Sequence, residues 1–172
     1  MTHWRQLMDY DLQFLEELAE LLDSRIDDVE EQAAHLHNEQ ISDPGFVIDR
    51  SEYLIGLGFV ACQTYLTEVM GERLPAERIA CLALGPKHNG RPIAAVVDAA
   101  ANFVKHKAEG DLRQRTRQLM EECGVLPTPP SDGPMYPMRG LLIDLLGDAP
   151  TTFVRLLDSL ERWRDAVLNL GP

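Results

Sequence analysis

Between residues 92 and 107 the chain reads PIAAVVDAAANFVKHK. At 100° per residue Ile93, Val96, Val97, Ala100 and Val104 fall on one side, and Asp98, Asn102, Lys105, His106 and Glu109 fall on the other. This spacing predicts an amphipathic helix. Its flanks carry Ala94, Ala95, Ala99 and Ala101, small enough for neighbouring helices to come close, so the polar stripe can lie in a groove between them.

The same periodicity extends over most of the chain. Residues 4–39 contain no proline or glycine, and apolar positions from Phe14 and Leu15 through Leu18, Leu22, Ile26, Val29 and Ala33 to Leu36 recur at three and four, predicting one long helix or two nearly collinear ones. The opposite face, Glu16, Glu17, Glu20, Asp23, Asp27, Asp28, Glu30 and Glu31, reads as solvated charge. Ser42-Asp43-Pro44-Gly45 is a turn. Asp49-Arg50-Ser51-Glu52 fits a capping box, which predicts a helix starting at Asp49 and ending at Gly71, with Tyr53, Leu57, Val60, Ala61, Thr64 and Val69 facing inward. Within it, Gly56-Leu57-Gly58 follows no strand and lacks the next glycine of a dinucleotide fingerprint, so it predicts close helix packing.

Pro75 opens a short helix over 76–84, stopped by Gly85-Pro86, and a polar loop, Lys87-His88-Asn89-Gly90-Arg91, feeds the 92–107 helix. After the break at Gly110-Asp111, residues 112–123 place Leu112, Thr116, Leu119 and Cys123 inward and Arg113, Arg115 and Arg117 outward, and Gly124 stops the helix. Five prolines between 124 and 137 exclude a regular element there, leaving a strap, a lid or a peptide-like ligand for a partner. Pro137 opens a helix to Leu146. A last helix carries the stripe Phe153, Leu156, Leu157, Leu160, Trp163, Val167 and Leu168. No stretch alternates as a strand does. The expected fold is therefore all-α, a single helical-bundle domain over 1–172 with about four long helices and two short ones.

Charge changes this picture more than composition does. The formal net charge is −12, yet it is unevenly spread: the first 58 residues hold fourteen acids against three arginines, whereas 86–117 hold seven lysines and arginines against three acids. The predicted central helix thus sits in the one basic segment of an acidic chain. Such a balance speaks against broad duplex DNA binding, which needs many phosphate contacts. It leaves room for a small anionic ligand, a short RNA or the acidic arm of a second subunit. Cys62, Cys81 and Cys123 are odd in number and widely spaced, arguing against a disulfide framework and a zinc site. His35 and His37, two apart, point to different helix faces and make a poor metal pair. Residues 1–13 lack a cleavable signal and the uncharged run 53–67 is too short for a membrane span, so a cytoplasmic protein is expected.

Two groups carry candidate chemistry. Lys87, His88 and Arg91 stand before a helix start, where unpaired N–H groups and the helix dipole favour anions. Asp98, Asn102 and His106, four apart, stack along one face beside Lys105. In metal-free RNA cleavage His106 would act as base, while Asn102 and Lys105 hold the phosphate. The same residues suit phosphate binding without turnover. A serine nucleophile elbow, a P-loop and an HExxH motif are absent, and no cofactor is expected.

The pattern Asn102-Phe103-Val104-Lys105-His106, an N-x-x-x-H motif in a helical bundle, resembles HEPN domains. That resemblance implies a dimer with central helices facing each other and metal-independent ribonuclease chemistry. The arginine that family usually carries before the polar residue is here Ala101, which implies an altered or degenerate site. The leading expectation is a soluble helical binding protein, HEPN-like in shape, using the basic groove around 92–107. The alternatives are a HEPN-type ribonuclease acting through His106, Asn102 and Lys105, and an immunity or antitoxin-type protein whose acidic first helix covers a basic toxin.

Overall fold

The computed structural model describes residues 9–38, 45–106, 113–123, 136–146 and 152–170. Helices dominate, in the order α1 (Tyr10–Asn38), α2 (Gly45–Met70), α3 (Pro75–Leu82), α4 (Ile93–His106), α5 (Gln114–Glu122), α6 (Pro137–Leu146) and α7 (Phe153–Asn169). The all-α expectation holds, with three short helices among the described residues where two were expected. The breaks expected at Gly110-Asp111 and at 124–135 lie outside the described residues.

The first helix is continuous. Asp9 caps it, its Oδ1 accepting the Leu12 N–H at 3.0 Å. Leu15, Ala19, Leu22, Ile26 and Val29 are buried, but Phe14 is 68% exposed and falls outside the core stripe it was assigned to. Glu16, Glu17, Glu20, Asp27, Asp28 and Glu31 are solvated as expected. Asp23 is not. It is only 8% exposed and accepts the N–H groups of Phe153 at 2.7 Å and Val154 at 3.1 Å, so a carboxylate of α1 caps the start of α7.

The second helix departs furthest from the pattern. It starts at Gly45, so Asp49 lies inside it and no capping box forms there. Glu52 does cap a helix, though not its own: its two oxygens accept the Met138 and Arg139 N–H groups at 2.8 and 2.9 Å, at the start of α6. The buried face also differs. Tyr53 is 68% exposed and Leu57 and Thr64 face out, while Ile55, Phe59, Cys62 and Leu66 form the core side. Glycines mark two close approaches on different faces of this helix: a Cβ on Gly58 would meet the Phe153 ring of α7 at 2.3 Å and one on Gly56 would meet Val104 of α4 at 3.3 Å. Phe153 then packs edge-on against Phe59, ring centroids 5.6 Å apart.

Central in this assembly is α4, in contact with α2, α5 and α7. Its alanine flanks are buried together with the apolar face, as is Phe103, while Val104 is only half-buried. At its entrance the expected polar loop is a small hairpin, β1 (Lys87–His88) pairing with β2 (Arg91–Pro92). Asn89 and Gly90 both have positive φ, 49° and 79°, the conformation of a two-residue type I′ turn. Trp163 of α7 is buried and donates its indole N–H to the Cys81 carbonyl at 2.9 Å, tying α3 to the bundle. No single helix among the described residues is long and apolar enough to cross a membrane.

At the far end of the α1–α7 contact, Asp9 accepts from Arg164 at 2.9 Å and from the Tyr65 hydroxyl at 3.0 Å. Burial works to raise the Asp9 carboxyl. The Leu12 N–H, Arg164 and Tyr65 outweigh it and hold the group below 3.8. A depressed carboxyl stabilises the fold above its unfolded value, and that contribution fades as pH falls through the folded value. The stability gap between the native protein and Asp9→Asn, read as a difference in urea midpoints, should therefore shrink as pH drops below 3.8. Asp23→Ala leaves two helix-start N–H groups without their acceptor and should lower unfolding stability by about 1–3 kcal/mol, with Asp23→Asn recovering part of it.

Candidate functional site

A helix buried on most sides can keep a polar stripe only if its neighbours satisfy it. On α4 the partner is Gln63 of α2, itself only 8% exposed. Its amide nitrogen donates to Asp98 Oδ1 at 2.7 Å, and its amide oxygen accepts from Lys105 Nζ at 2.5 Å. Asn102 donates to the other oxygen of Asp98 at 3.2 Å. Lys105, Gln63, Asp98 and Asn102 thus form one hydrogen-bonded chain joining two helices. An ammonium carries three donors, of which Gln63 takes one.

This chain is part of the wall of a cleft of about 450 Å³ between α2, α3, α4 and α5. Its opposite walls carry Arg78 and Ile79 of α3, and Arg113, Arg115 and Thr116 at the start of α5. Thr116 is buried, anchoring that turn, while Arg113 and Arg115 are exposed. Arg78 is half-buried and its Nε is buried without a hydrogen-bond partner. Among the described lining residues, four cations face one carboxylate, and that carboxylate is already held by two amides. The result is a cationic cleft with fixed amide dipoles, in a protein of net charge −12.

The structure places Asp98, Asn102 and Lys105 on the cleft wall, and the other expected site residues do not line it. His106 is half-buried and does not line the cleft. Lys87, His88 and Arg91 lie at the opposite end of α4. There the His88 ring stands 3.6 Å from Asp144 of α6 and 2.8 Å from the Asn89 amide, and Arg91 lies against the Cys123 thiol. At the start of α4 the Ile93 N–H already bonds to the Pro86 carbonyl at 3.0 Å, and Ile93, Ala94, Ala95 and Val96 are buried.

The cysteines are unbridged. Burial pushes the Cys62 thiol up to about 12, with the Asp23 charge adding to it, so it is inert as a nucleophile. Burial also raises Cys123, against the pull of Arg91. Among the described residues no group of three or more histidines, cysteines and acids gathers as a metal site would require.

Gln63, Arg78, Arg113 and Arg115 belong to the cleft and were not singled out from the sequence. Gln63 had a signal, an amide interrupting an otherwise apolar helix. Arg113 and Arg115 were recognised as outward-facing, but what they face depends on where α5 packs. Comparison with family models, with curated proteins and with solved structures finds no match to this chain.

Gln63→Leu removes the donor to Asp98 and the acceptor of Lys105 and should cost about 1–3 kcal/mol of stability by chemical denaturation. Because the two residues share one interaction, Asp98→Ala should cost measurably less in the Gln63→Leu background than alone.

Proposed function

We propose that this is a helical binding protein whose cleft between α2, α3, α4 and α5 takes an anionic ligand. The observation that carries the reading is the convergence of Arg78, Lys105, Arg113 and Arg115, from three separate parts of the chain, on one concave site with a polar wall. A volume of about 450 Å³ suits a small phosphate- or carboxylate-bearing molecule. Arginine forks bind such groups through paired N–H donors, and Lys105 adds a point charge. Electrostatic attraction into a low-dielectric concavity also speeds capture of an anion by a protein that otherwise repels it.

That His106 does not line the cleft supports binding there without turnover over ribonuclease action at the cleft. Four cations gathered in one cleft suit a compact ligand better than a long polyanion.

Calorimetric titration with inorganic pyrophosphate and, separately, with a short single-stranded RNA tests the reading and tells the two ligand types apart. Pyrophosphate should bind with an affinity that falls as salt rises. The double substitution Arg113→Glu with Arg115→Glu, at exposed positions, should weaken it by at least about tenfold without lowering the melting temperature. Absence of binding to either probe, or indifference to the charge reversal, would sink the proposal.

A further inference from the structure

The cationic cleft has two kinds of wall. One is polar, formed by Lys105 with its Gln63 and Asp98 partners and by Arg113 and Arg115 at the start of α5. The other belongs to α3 and the end of α2. Pro75 and Ile79, one helical turn apart, both line the cleft. Met70 and Leu82 also border it but are buried in the core, so the apolar surface left open is that of Pro75 and Ile79, the latter 50% exposed. Arg78 is half-buried and donates from Nη2 to the Gly71 carbonyl at 3.5 Å. What α3 offers to a visitor is therefore mainly apolar.

Resting on the anion-binding reading of this cleft, we propose that its ligand is amphiphilic: an organic phosphate or carboxylate whose anionic group pairs with Lys105, Arg113 and Arg115 and whose apolar body covers Pro75 and Ile79. The volume of about 450 Å³ lies within the roughly 300–1,000 Å³ of small-molecule sites, and a bare phosphate fills little of it. Such an ion also leaves the Ile79 side chain in water. In sites of this kind apolar contact supplies most of the buried surface, and a few polar groups fix orientation. Covering Ile79 takes hydrocarbon out of water, a gain that charge pairing alone does not reach. Because the apolar and cationic walls come from different elements, each half of the ligand is read separately, and a molecule with only one half uses only one wall.

Calorimetric titration of the full chain with methyl phosphate, 1-naphthyl phosphate and 1-naphthol separates the two contributions, since the esters share a headgroup and differ in apolar body. The native protein should bind 1-naphthyl phosphate at least about tenfold more tightly than either of the others. Ile79→Ala, at an exposed position and with a strong helix former in place, should weaken 1-naphthyl phosphate by roughly fivefold while pyrophosphate affinity and melting temperature hold. Arg113→Glu with Arg115→Glu should weaken both 1-naphthyl phosphate and pyrophosphate. The amphiphilic ligand is overturned if 1-naphthyl phosphate binds no more tightly than methyl phosphate or 1-naphthol, or ignores the charge reversal. It is overturned equally by an Ile79→Ala protein that weakens pyrophosphate as much as the aryl ester, or weakens neither. In each of these cases pyrophosphate binding by the native protein leaves the anion site standing, whereas absence of binding to every phosphate probe removes both readings.

Discussion

Helices α6 and α7 start against the α1–α2 pair, and a helix start leaves N–H groups that the helix itself cannot pair. In α6 and α7 the acceptors come from elsewhere in the chain. Glu52 of α2 takes Met138 and Arg139, and Asp23 of α1 takes Phe153 and Val154. These carboxylates complement the positive ends of the helix dipoles as well as filling orphan donors. Burial opposes the arrangement, pushing the Asp23 carboxyl above 3.8 even as the two N–H groups pull it down. The fold depends on these contacts because they fix where α6 and α7 sit on the α1–α2 pair. That placement frames a cavity between α1, α2 and α6 on one side and sets the Phe153 ring against α2 on the other.

The central helix obeys a related constraint. With alanines closing in on both flanks, its polar residues cannot all reach water, and Asp98 is satisfied by the amides of Gln63 and Asn102. The cleft is the outcome of that arrangement meeting a basic stretch of chain. Lys105 comes from α4 and two arginines from the start of α5, both inside the segment where bases outnumber acids. Arg78 arrives from outside it, on α3, at a place that Trp163 helps to fix through its bond to Cys81.

Helices with one strong apolar stripe were legible in the sequence. In α7 Phe153, Leu156, Leu157, Leu160, Trp163 and Val167 are buried as their spacing requires, and Pro137 opens α6 as proline at a first turn does. The face of α2 was not legible, because that helix is apolar nearly all round and glycine, invisible to a hydrophobic periodicity, marks its closest contact. The Asp23 and Glu52 caps were equally hidden: a carboxylate on an acidic face looks solvated until its distant partner is known. Asn89-Gly90 was the opposite case, a strong hairpin signal overshadowed by strands only two residues long. Of the candidate site, Asp98, Asn102 and Lys105 were visible as a stripe, whereas the arginines opposite them are a property of packing.

The slot at Gly58 bears on how this protein can vary through evolution. Phe153 is 1% exposed and its ring occupies the space a side chain at position 58 would need. Neither residue is free to drift alone: a larger residue at 58 demands a smaller one at 153, and the glycine is held in place only while the ring is there. Descendants of this chain are therefore expected to exchange the two positions as a pair, a covariation written by volume and not by charge or chemistry.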